Sequence, residues 1–196
     1  MTSPSPGPWF VAIGASGHVG LGDIGDLLGE LPRSLNAVVL VVLHRPWDRV
    51  SHLAAVLSRS SRIPVIVASD GELFKTGHAY VGEPAEHLTL AAKSFGSLVQ
   101  DPDRHYRNRT VDLLLLSLSE HAGARSIGVI LSGFLDDGSR GLAAIHHAGG
   151  LTMVLKPSGS PTPGMPENAI SYDGPIDLVG SSAEIAAAIG DVVDRC

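Results

Sequence analysis

Short, almost wholly apolar runs recur along the chain, and turn-forming residues separate them. Runs of this kind, bounded by Gly, Pro, Ser or Asp, are typical of strands that are buried on both faces of a parallel sheet. We therefore predict buried strands at residues 9–13, 37–43, 63–68, 127–131 and 151–155.

Segments of helical length lie between these runs. The pattern predicts helices at residues 21–31, 48–60, 111–121, 138–147 and 183–193. Thr110 and Ser182 are the expected N-terminal caps of the third and fifth of them. Strands that alternate with helices pack as a sheet covered on both faces. The predicted fold class is therefore α/β, a three-layer, mostly parallel, doubly wound sheet.

The middle of the chain departs from this alternation. Two short runs at 78–82 and 87–92 are separated by the turn-forming residues 83–86. Adjacent short strands joined by such a turn predict a small antiparallel hairpin. Residues 101–109 predict a polar loop, and the Pro-, Gly- and Ser-rich residues 156–166 predict an exposed one.

The composition limits the class of protein. The chain has 196 residues, of which 44% are hydrophobic and 17% are charged, and this balance is typical of one folded domain. Residues 1–8 are polar and Pro-rich, which predicts a flexible tail before a single domain at 9–196. The net charge of −6 and the lack of a dense Lys/Arg cluster exclude a duplex nucleic-acid binder.

Cysteine usage and hydropathy indicate the compartment. The single cysteine, Cys196, offers no internal disulfide and no zinc site, which suits a reducing compartment. The first residues lack the charged-then-apolar order of a signal peptide. The longest apolar run, 37–43, is far shorter than the roughly 20 residues of a membrane span. We expect a cytoplasmic protein without membrane insertion.

Parallel sheets of this class place their active sites at the carboxyl ends of the strands. Three predicted strands end in loops that carry chemically useful side chains: Ser16, His44, and the pair Asp136 and Asp137. A serine at a strand-to-helix turn is a candidate nucleophile, a histidine is a candidate base, and an aspartate is a candidate partner for the imidazole. Spacing alone leaves the choice between the two aspartates open.

Each residue also has a plainer interpretation. Ser16 suits a helix cap, His44 a solvent-facing histidine, and Asp137 a cap of the following helix. Residues 20–25 match Gly-x-Gly-x-x-Gly, but they begin several residues after the strand, whereas a dinucleotide-binding segment begins at the turn itself. The convergence of three chemical groups on three strand ends favours a hydrolase over a cofactor-binding protein.

Several short segments follow one another along the chain: Ile13-Gly-Ala-Ser16, His44-Arg-Pro46, Gly77-His-Ala-Tyr-Val81, Thr110-Val-Asp112, Val129-Ile-Leu-Ser-Gly133 with Asp137-Gly138, Ala148-Gly-Gly150 and Gly164-Met-Pro166. Together they resemble the catalytic domain of CheB-type protein-glutamate methylesterases of bacterial chemotaxis. Each segment is short, but their shared order and spacing make the combination specific. The resemblance extends from about Val11 to the final helix.

The resemblance implies a triad in which Ser16 is the nucleophile, His44 the general base and Asp137 the acid partner. It implies hydrolysis of glutamate methyl esters on methylated chemoreceptors or similar signalling proteins, with methanol as a product and glutamine deamidation as a second activity. The family uses no metal and no organic cofactor. Many members carry a phospho-receiver domain, for which this chain has no room, and we therefore expect constitutive activity or a separate regulatory partner.

Departures from the family pattern surround the predicted nucleophile. The residues after it differ from the small-residue and glycine pattern of the family, and Leu135 replaces a family glycine. The residues that we expect to line the oxyanion or substrate site are Gly17, His18, Phe134 and Met165. These changes leave a second interpretation, a non-enzymatic binding module with a weakened site. Retention of all three triad residues opposes it.

Overall fold

The structure is a computed structural model that describes residues 7–46, 51–159, 162–172 and 174–195. The strands are β1 (Trp9–Ser16), β2 (Ala37–His44), β3 (Val65–Val67), β4 (His78–Val81), β5 (Glu86–Leu90), β6 (Gly96–Gln100), β7 (Ser126–Ile130), β8 (Leu151–Leu155) and β9 (Leu178–Gly180). The α-helices are α1 (Gly17–Glu30), α2 (Leu53–Leu57), α3 (Thr110–His121), α4 (Ser139–His147), α5 (Met165–Ser171) and α6 (Ser182–Asp194).

Seven of these strands form one sheet in the order β3-β4-β2-β1-β7-β8-β9, and every neighbouring pair is parallel. The chain extends the sheet from β1 first to one side and then, from β7 onward, to the other. This reversal is the topological switch point at which open α/β sheets form their ligand sites. The predicted α/β fold class, with its parallel sheet and a small antiparallel hairpin, is confirmed.

Alternating side chains along β1 divide the core into two layers. Val11 and Ile13 pack into the layer that also contains the apolar faces of α1, α2 and α6. Phe10 and Ala12 point the other way, into the layer formed with α3, α4 and α5. Helices cover both faces of the sheet, and for this reason the interior positions of the central strands are apolar.

The antiparallel hairpin forms from other strands than the pattern predicted. β4 lies in the main sheet between β2 and β3, so the predicted pairing of 78–82 with 87–92 was wrong. Ala79, Tyr80 and Val81 are all buried, and a strand of this kind needs cover on both faces. The hairpin instead pairs β5 with β6, a strand whose mixed polarity gave no clear apolar run.

The helix starts also differ from the predicted ones. α1 begins at Gly17, earlier than predicted, because its glycine-rich first turn shows no apolar period. Arg109 and Ser181, rather than Thr110 and Ser182, occupy the N-cap positions of α3 and α6. The predictions were wrong by one residue at both places, which is within the usual uncertainty of helix ends.

Two short elements gave no signal in the sequence. α5 begins inside the segment predicted as a loop, and β9 has three residues, so neither shows a period. Residues 48–50 of the second predicted helix lie outside the described residues, as do residues 1–6 of the predicted tail. Within the described ranges, no helix combines the length and the apolar character that a membrane span requires.

Candidate active site

Ser16 and His44 are the last residues of β1 and β2, which lie side by side in the sheet. The two strands are parallel and in register, and Ser16 is paired with His44. Paired residues on parallel strands point to the same face, and the strands are about 4.8 Å apart. Both side chains therefore belong to the face that α3 and α4 cover, and both are partly exposed.

A glycine in β1 allows α3 to approach the sheet at this place. A Cβ atom on Gly14 would lie 2.2 Å from Cγ1 of Val111, in the first turn of α3. No side chain fits into that space, so glycine is required there. The first turn of α3 thereby lies directly against β1, close to Ser16 at the strand end.

Asp137 lies between β7 and α4 and joins His44 to the start of α3. Its Oδ2 atom is 2.5 Å from Nε2 of His44 and also accepts the backbone N–H of Val111 at 2.9 Å. Its Oδ1 atom accepts the N–H of Asp112 at 2.8 Å. These N–H groups belong to the first turn of α3, so Asp137 caps that helix from a distant part of the chain. The residue is only 3% exposed, and the helix dipole favours its negative charge.

The structure also distinguishes the two adjacent aspartates. Asp137 is buried and in contact with His44, whereas Asp136 is exposed. With Nε2 of His44 engaged by the carboxylate, Nδ1 is the ring nitrogen left to exchange a proton with a hydroxyl group. The geometry therefore suits a base that is oriented by Asp137.

Asp112, in the first turn of α3, in turn caps the start of α4. Its Oδ1 atom accepts the N–H of Gly138 at 3.0 Å and the N–H of Gly141 at 2.8 Å, both at the start of α4. Burial raises the pKa of the Asp112 carboxyl, and the charge of Asp137 adds to the rise, while the two N–H donors oppose it. The helices α3 and α4 are thus capped by each other's aspartates, and this pair of caps fixes the position of Asp137.

The loop after β7 is fixed against the candidate nucleophile. The Ser132 carbonyl accepts the N–H of Ser16 at 3.0 Å, and the Ser132 N–H donates to Oδ2 of Asp23 at 3.2 Å. A Cβ atom on Gly133 would lie 2.7 Å from Cβ of Ser16 and 2.2 Å from the sulfur of Met165. Met165 is fully buried, and its N–H donates to the Gly133 carbonyl at 2.9 Å. Met165 therefore supports this loop from within the core.

The other residues expected to line the site lie next to Ser16. Gly17 has a φ of +71°, a left-handed conformation that favours glycine, and His18 is exposed. The Phe134 ring lies beside Gly17, with Cε2 3.6 Å from where a Cβ atom on that glycine would be. Gly17 also begins α1, and the first N–H groups of a helix have no acceptor within it. These groups are suited to stabilise an oxyanion at Ser16.

The Gly-x-Gly-x-x-Gly segment at residues 20–25 lies inside α1 and not at the turn that precedes it. A Cβ atom on Gly20 would be 2.6 Å from the Ser132 carbonyl oxygen, so this glycine allows α1 to pack against the loop after β7. Packing therefore explains Gly20, whereas a Cβ atom on Gly22 would meet open space.

A cleft of about 690 Å³ opens beside His44. Its walls include the end of β2 and residues 82–88. Arg45 joins these two walls, because Nη1 donates to the Leu43 carbonyl at 3.3 Å and Nη2 donates to the Gly82 carbonyl at 2.5 Å. Burial lowers the pKa of the Arg45 guanidinium, and the charge of Glu83 opposes that effect. The cleft offers space next to the candidate base for a substrate side chain and its neighbours.

Two supporting aspartates were missed in the sequence. Asp23 lies within the Gly-x-Gly-x-x-Gly segment, but its contact with the loop after β7 depends on the fold. Asp112 had a usable signal, because it is a carboxylate in the first turn of a helix, directly before four consecutive leucines. Within the described part of the chain, no group of three or more His, Cys, Asp or Glu is arranged to hold a metal ion.

Comparisons with known proteins show the family of the chain. The family model described as CheB methylesterase matches residues 11–189. A protein-glutamate methylesterase/protein-glutamine glutaminase of Salmonella typhi is 35% identical over 176 residues, which are 88% of this chain and 50% of that protein. The protein of the same name from Yersinia pestis bv. Antiqua (strain Antiqua) is 36% identical over 173 residues, which are 87% of this chain and 49% of that protein.

A solved structure is similar to this chain over almost its whole length. The crystal structure of the Thermotoga maritima CheB methylesterase catalytic domain has a TM-score of 0.84 and 28% sequence identity, over 95% of this chain and 100% of that chain. The present chain spans about half the length of the curated relatives that it matches. The family model extends from β1 into α6 and so includes every part of the candidate site. The chain belongs to the CheB methylesterase family.

Proposed function

We propose that this domain is a serine hydrolase that demethylates glutamate methyl esters on a chemoreceptor-like signalling protein and releases methanol. The observation that carries the proposal is the contact between His44 and the buried carboxylate of Asp137, at the strand end paired with Ser16. A nucleophile, a base and an acid partner are the parts of a hydrolytic triad. The relatives named protein-glutamate methylesterase support the choice of ester.

In the first half-reaction, the Ser16 hydroxyl oxygen attacks the ester carbonyl carbon, and Nδ1 of His44 accepts the hydroxyl proton. Asp137 holds the imidazole through its Nε2–H and stabilises the imidazolium that forms. The oxyanion faces the N–H groups that begin α1 at Gly17. The intermediate then collapses as the bond to the methoxy oxygen breaks. His44 gives its proton to that oxygen, and methanol leaves.

In the second half-reaction, water removes the glutamyl group from Ser16. His44 takes a proton from the water as the water oxygen attacks the acyl carbonyl carbon. The bond to Ser16 Oγ breaks, and His44 returns the proton to that oxygen. The glutamic acid that is formed releases its proton to solvent. The products are therefore the free serine and a glutamate carboxylate, and the substrate protein gains one negative charge for each turnover.

The proposed function includes a second activity and a cellular compartment. The same groups act on a glutamine amide, with His44 protonating the departing ammonia, and the names of the relatives support this second activity. The site of action is the cytoplasm, which the single cysteine in the chain supports.

The test is methanol release from a methylated receptor cytoplasmic fragment. Ser16→Ala should lose activity by about 10³-fold or more, because the nucleophile is gone. Ser119→Ala is the matched control, since Ser119 lies on α3 and its hydroxyl donates to the Leu116 carbonyl of the same helix at 2.7 Å. This control should release methanol at the wild-type rate.

Two outcomes would contradict the proposal. Folded wild-type protein that releases no methanol from several receptor fragments would favour the non-enzymatic binding module. Release that persists in Ser16→Ala would show that another group is the nucleophile.

A further inference from the structure

Three large apolar side chains beside the proposed nucleophile are turned to solvent. Among the described residues, Phe134 is 74% exposed, Val19 is 66% exposed and Leu135 is 61% exposed, and other exposed large apolar side chains lie at 50% or below. We call these three residues the apolar rim. Single exposed apolar residues are ordinary, but the most exposed ones gathered at one site mark a contact surface.

The apolar rim adjoins Ser16 from two directions. Val19 is in the first turn of α1, which begins directly after Ser16. Phe134 and Leu135 follow Gly133, whose backbone lies against Ser16. The rim therefore borders the place where a substrate must arrive.

The backbone holds the rim in its exposed position. Leu135 has a φ of +68°, a left-handed conformation that disfavours residues with a β-carbon. Its carbonyl accepts the Nδ2–H of Asn168 at 2.7 Å, and the Gly133 carbonyl accepts the N–H of Met165 at 2.9 Å. Strain that a surface loop retains beside a reactive group indicates a function for the exposed side chains.

The shortness of a glutamyl side chain decides what the rim meets. The ester carbon is separated from Cα by two methylene groups, so the polypeptide must pass close to Ser16 when that carbon reaches the hydroxyl. The Phe134 ring lies beside Gly17, the next residue, and so lies within range of side chains that neighbour the ester. The rim side chains carry no charge and no hydrogen-bonding group, so they favour apolar partners.

We propose that the apolar rim is a specificity surface, which binds apolar side chains next to the esterified glutamate on the substrate protein. The proposal rests on the proposed function, because it describes part of the same substrate. Contacts with the rim hold the ester over Ser16. A segment with only polar neighbours around the glutamate is a poor ligand, because its polar groups would lose water without gaining hydrogen bonds.

The test compares a methylated receptor fragment with p-nitrophenyl acetate, a small ester without a polypeptide. For Phe134→Ser, we expect kcat/KM for the fragment to fall about tenfold more than kcat/KM for the small ester, chiefly through KM. Phe134→Met, which keeps an apolar side chain, should recover most of that difference. Leu116→Ser is the matched control, since Leu116 is 44% exposed on α3, and the ratio of the two values should equal that of the wild type.

A change in the substrate provides the complementary half of the test. Serine in place of the apolar residues that flank the ester should lower kcat/KM for the wild type. The same change in the substrate should have little further effect on kcat/KM of Phe134→Ser, because both changes remove the same contact. Equal losses of Phe134→Ser on the protein and on the small ester, or fully additive losses in this cycle, would overturn the proposal.

A binding measurement distinguishes the proposed role of the apolar rim from the proposed esterase activity. In a Ser16→Ala background, calorimetry measures the affinity for the methylated fragment, and adding Phe134→Ser should weaken it about tenfold. If the wild-type protein releases no methanol but Phe134→Ser still weakens the affinity for the fragment, the esterase activity is refuted and the role of the apolar rim in binding is supported. Hydrolysis without any effect of the rim on affinity would overturn the rim alone. If the protein is a dimer that dissociates when the apolar rim is substituted, and the kinetics are unchanged, the rim binds a second copy of the chain. This result would also overturn the proposal.

Discussion

Replacing Asp112 tests how the helices that position Asp137 are capped, without removing a residue of the proposed triad. Its Oδ1 atom accepts two backbone N–H groups at the start of α4, from Gly138 and Gly141. Asp112→Ala removes the acceptor and leaves both N–H groups buried without it. Asp112→Asn keeps an oxygen at the same position and therefore keeps both hydrogen bonds.

The two variants should differ in stability by an amount that the hydrogen bonds determine. Each buried N–H left unsatisfied costs about 1–3 kcal/mol, so the gross loss for Asp112→Ala is about 2–6 kcal/mol. Part of this loss is offset, because the raised pKa of Asp112 shows that its charge is disfavoured in the fold. We expect a net loss of about 2–4 kcal/mol for the Ala variant, or about 4–16 °C in Tm, and less than about 1 kcal/mol for the Asn variant.

The Asn variant should also change the pH dependence of stability. The folded pKa of Asp112 lies above its unfolded value, so this group stabilises the fold fully below the unfolded pKa. That contribution is lost as pH rises through the folded pKa. Asparagine does not titrate, so the stability of Asp112→Asn relative to the wild type should improve as pH rises from about 3.9 toward neutrality.

Urea unfolding at several pH values measures both effects, with the midpoint and the m-value recorded for each variant. An Ala variant that loses less than about 0.5 kcal/mol would refute the reciprocal caps, because two buried N–H groups cannot lose their acceptor at so small a cost. An Asn variant as unstable as the Ala variant would show that the charge, and not the acceptor, carries the stabilisation.

Three other substitutions test separate parts of the structure. Asp137→Asn should lower kcat for methanol release about 10⁴-fold, because the imidazolium loses its carboxylate. Gly14→Ala should destabilise the domain by about 3 kcal/mol in thermal unfolding, since its Cβ atom would lie 2.2 Å from Val111. Wild-type stability of that variant would contradict the close packing of α3 on β1. Leu135→Gly should raise the unfolding free energy by up to about 1 kcal/mol while kcat/KM for the receptor fragment falls, and a lower free energy would refute the strain.

The strand ends could be predicted because local pattern decides them. Apart from one polar residue at an end of each, β1, β2 and β7 are apolar because helices cover both faces. This pattern, together with the helices expected between the strands, predicted a parallel sheet. The position of active sites in such sheets then selected the loops that contain Ser16, His44 and Asp137. The solved structure of a relative confirms the fold class. The catalytic roles of the three residues stay predictions.

Contacts between distant segments could not be predicted from local pattern. The plainer interpretation of Asp137 was a cap for α4, which follows it directly, but its carboxylate caps α3. Likewise, Thr110 was expected to cap α3, and that task falls to Asp137. β6 was missed for the same kind of reason, because its pairing with β5 and not its own sequence makes it a strand.

Because Asp137 also caps α3, a descendant that has lost the activity would still need this aspartate for folding. A lineage that no longer needed the reaction could not freely replace Asp137, because the start of α3 would lose its cap. Selection for folding alone would therefore preserve this aspartate in an inactive descendant. Ser16 and His44 end their strands without such a duty among their described hydrogen bonds. Under the proposed mechanism, the serine and the histidine are therefore the residues whose loss would distinguish an inactive descendant from an active hydrolase.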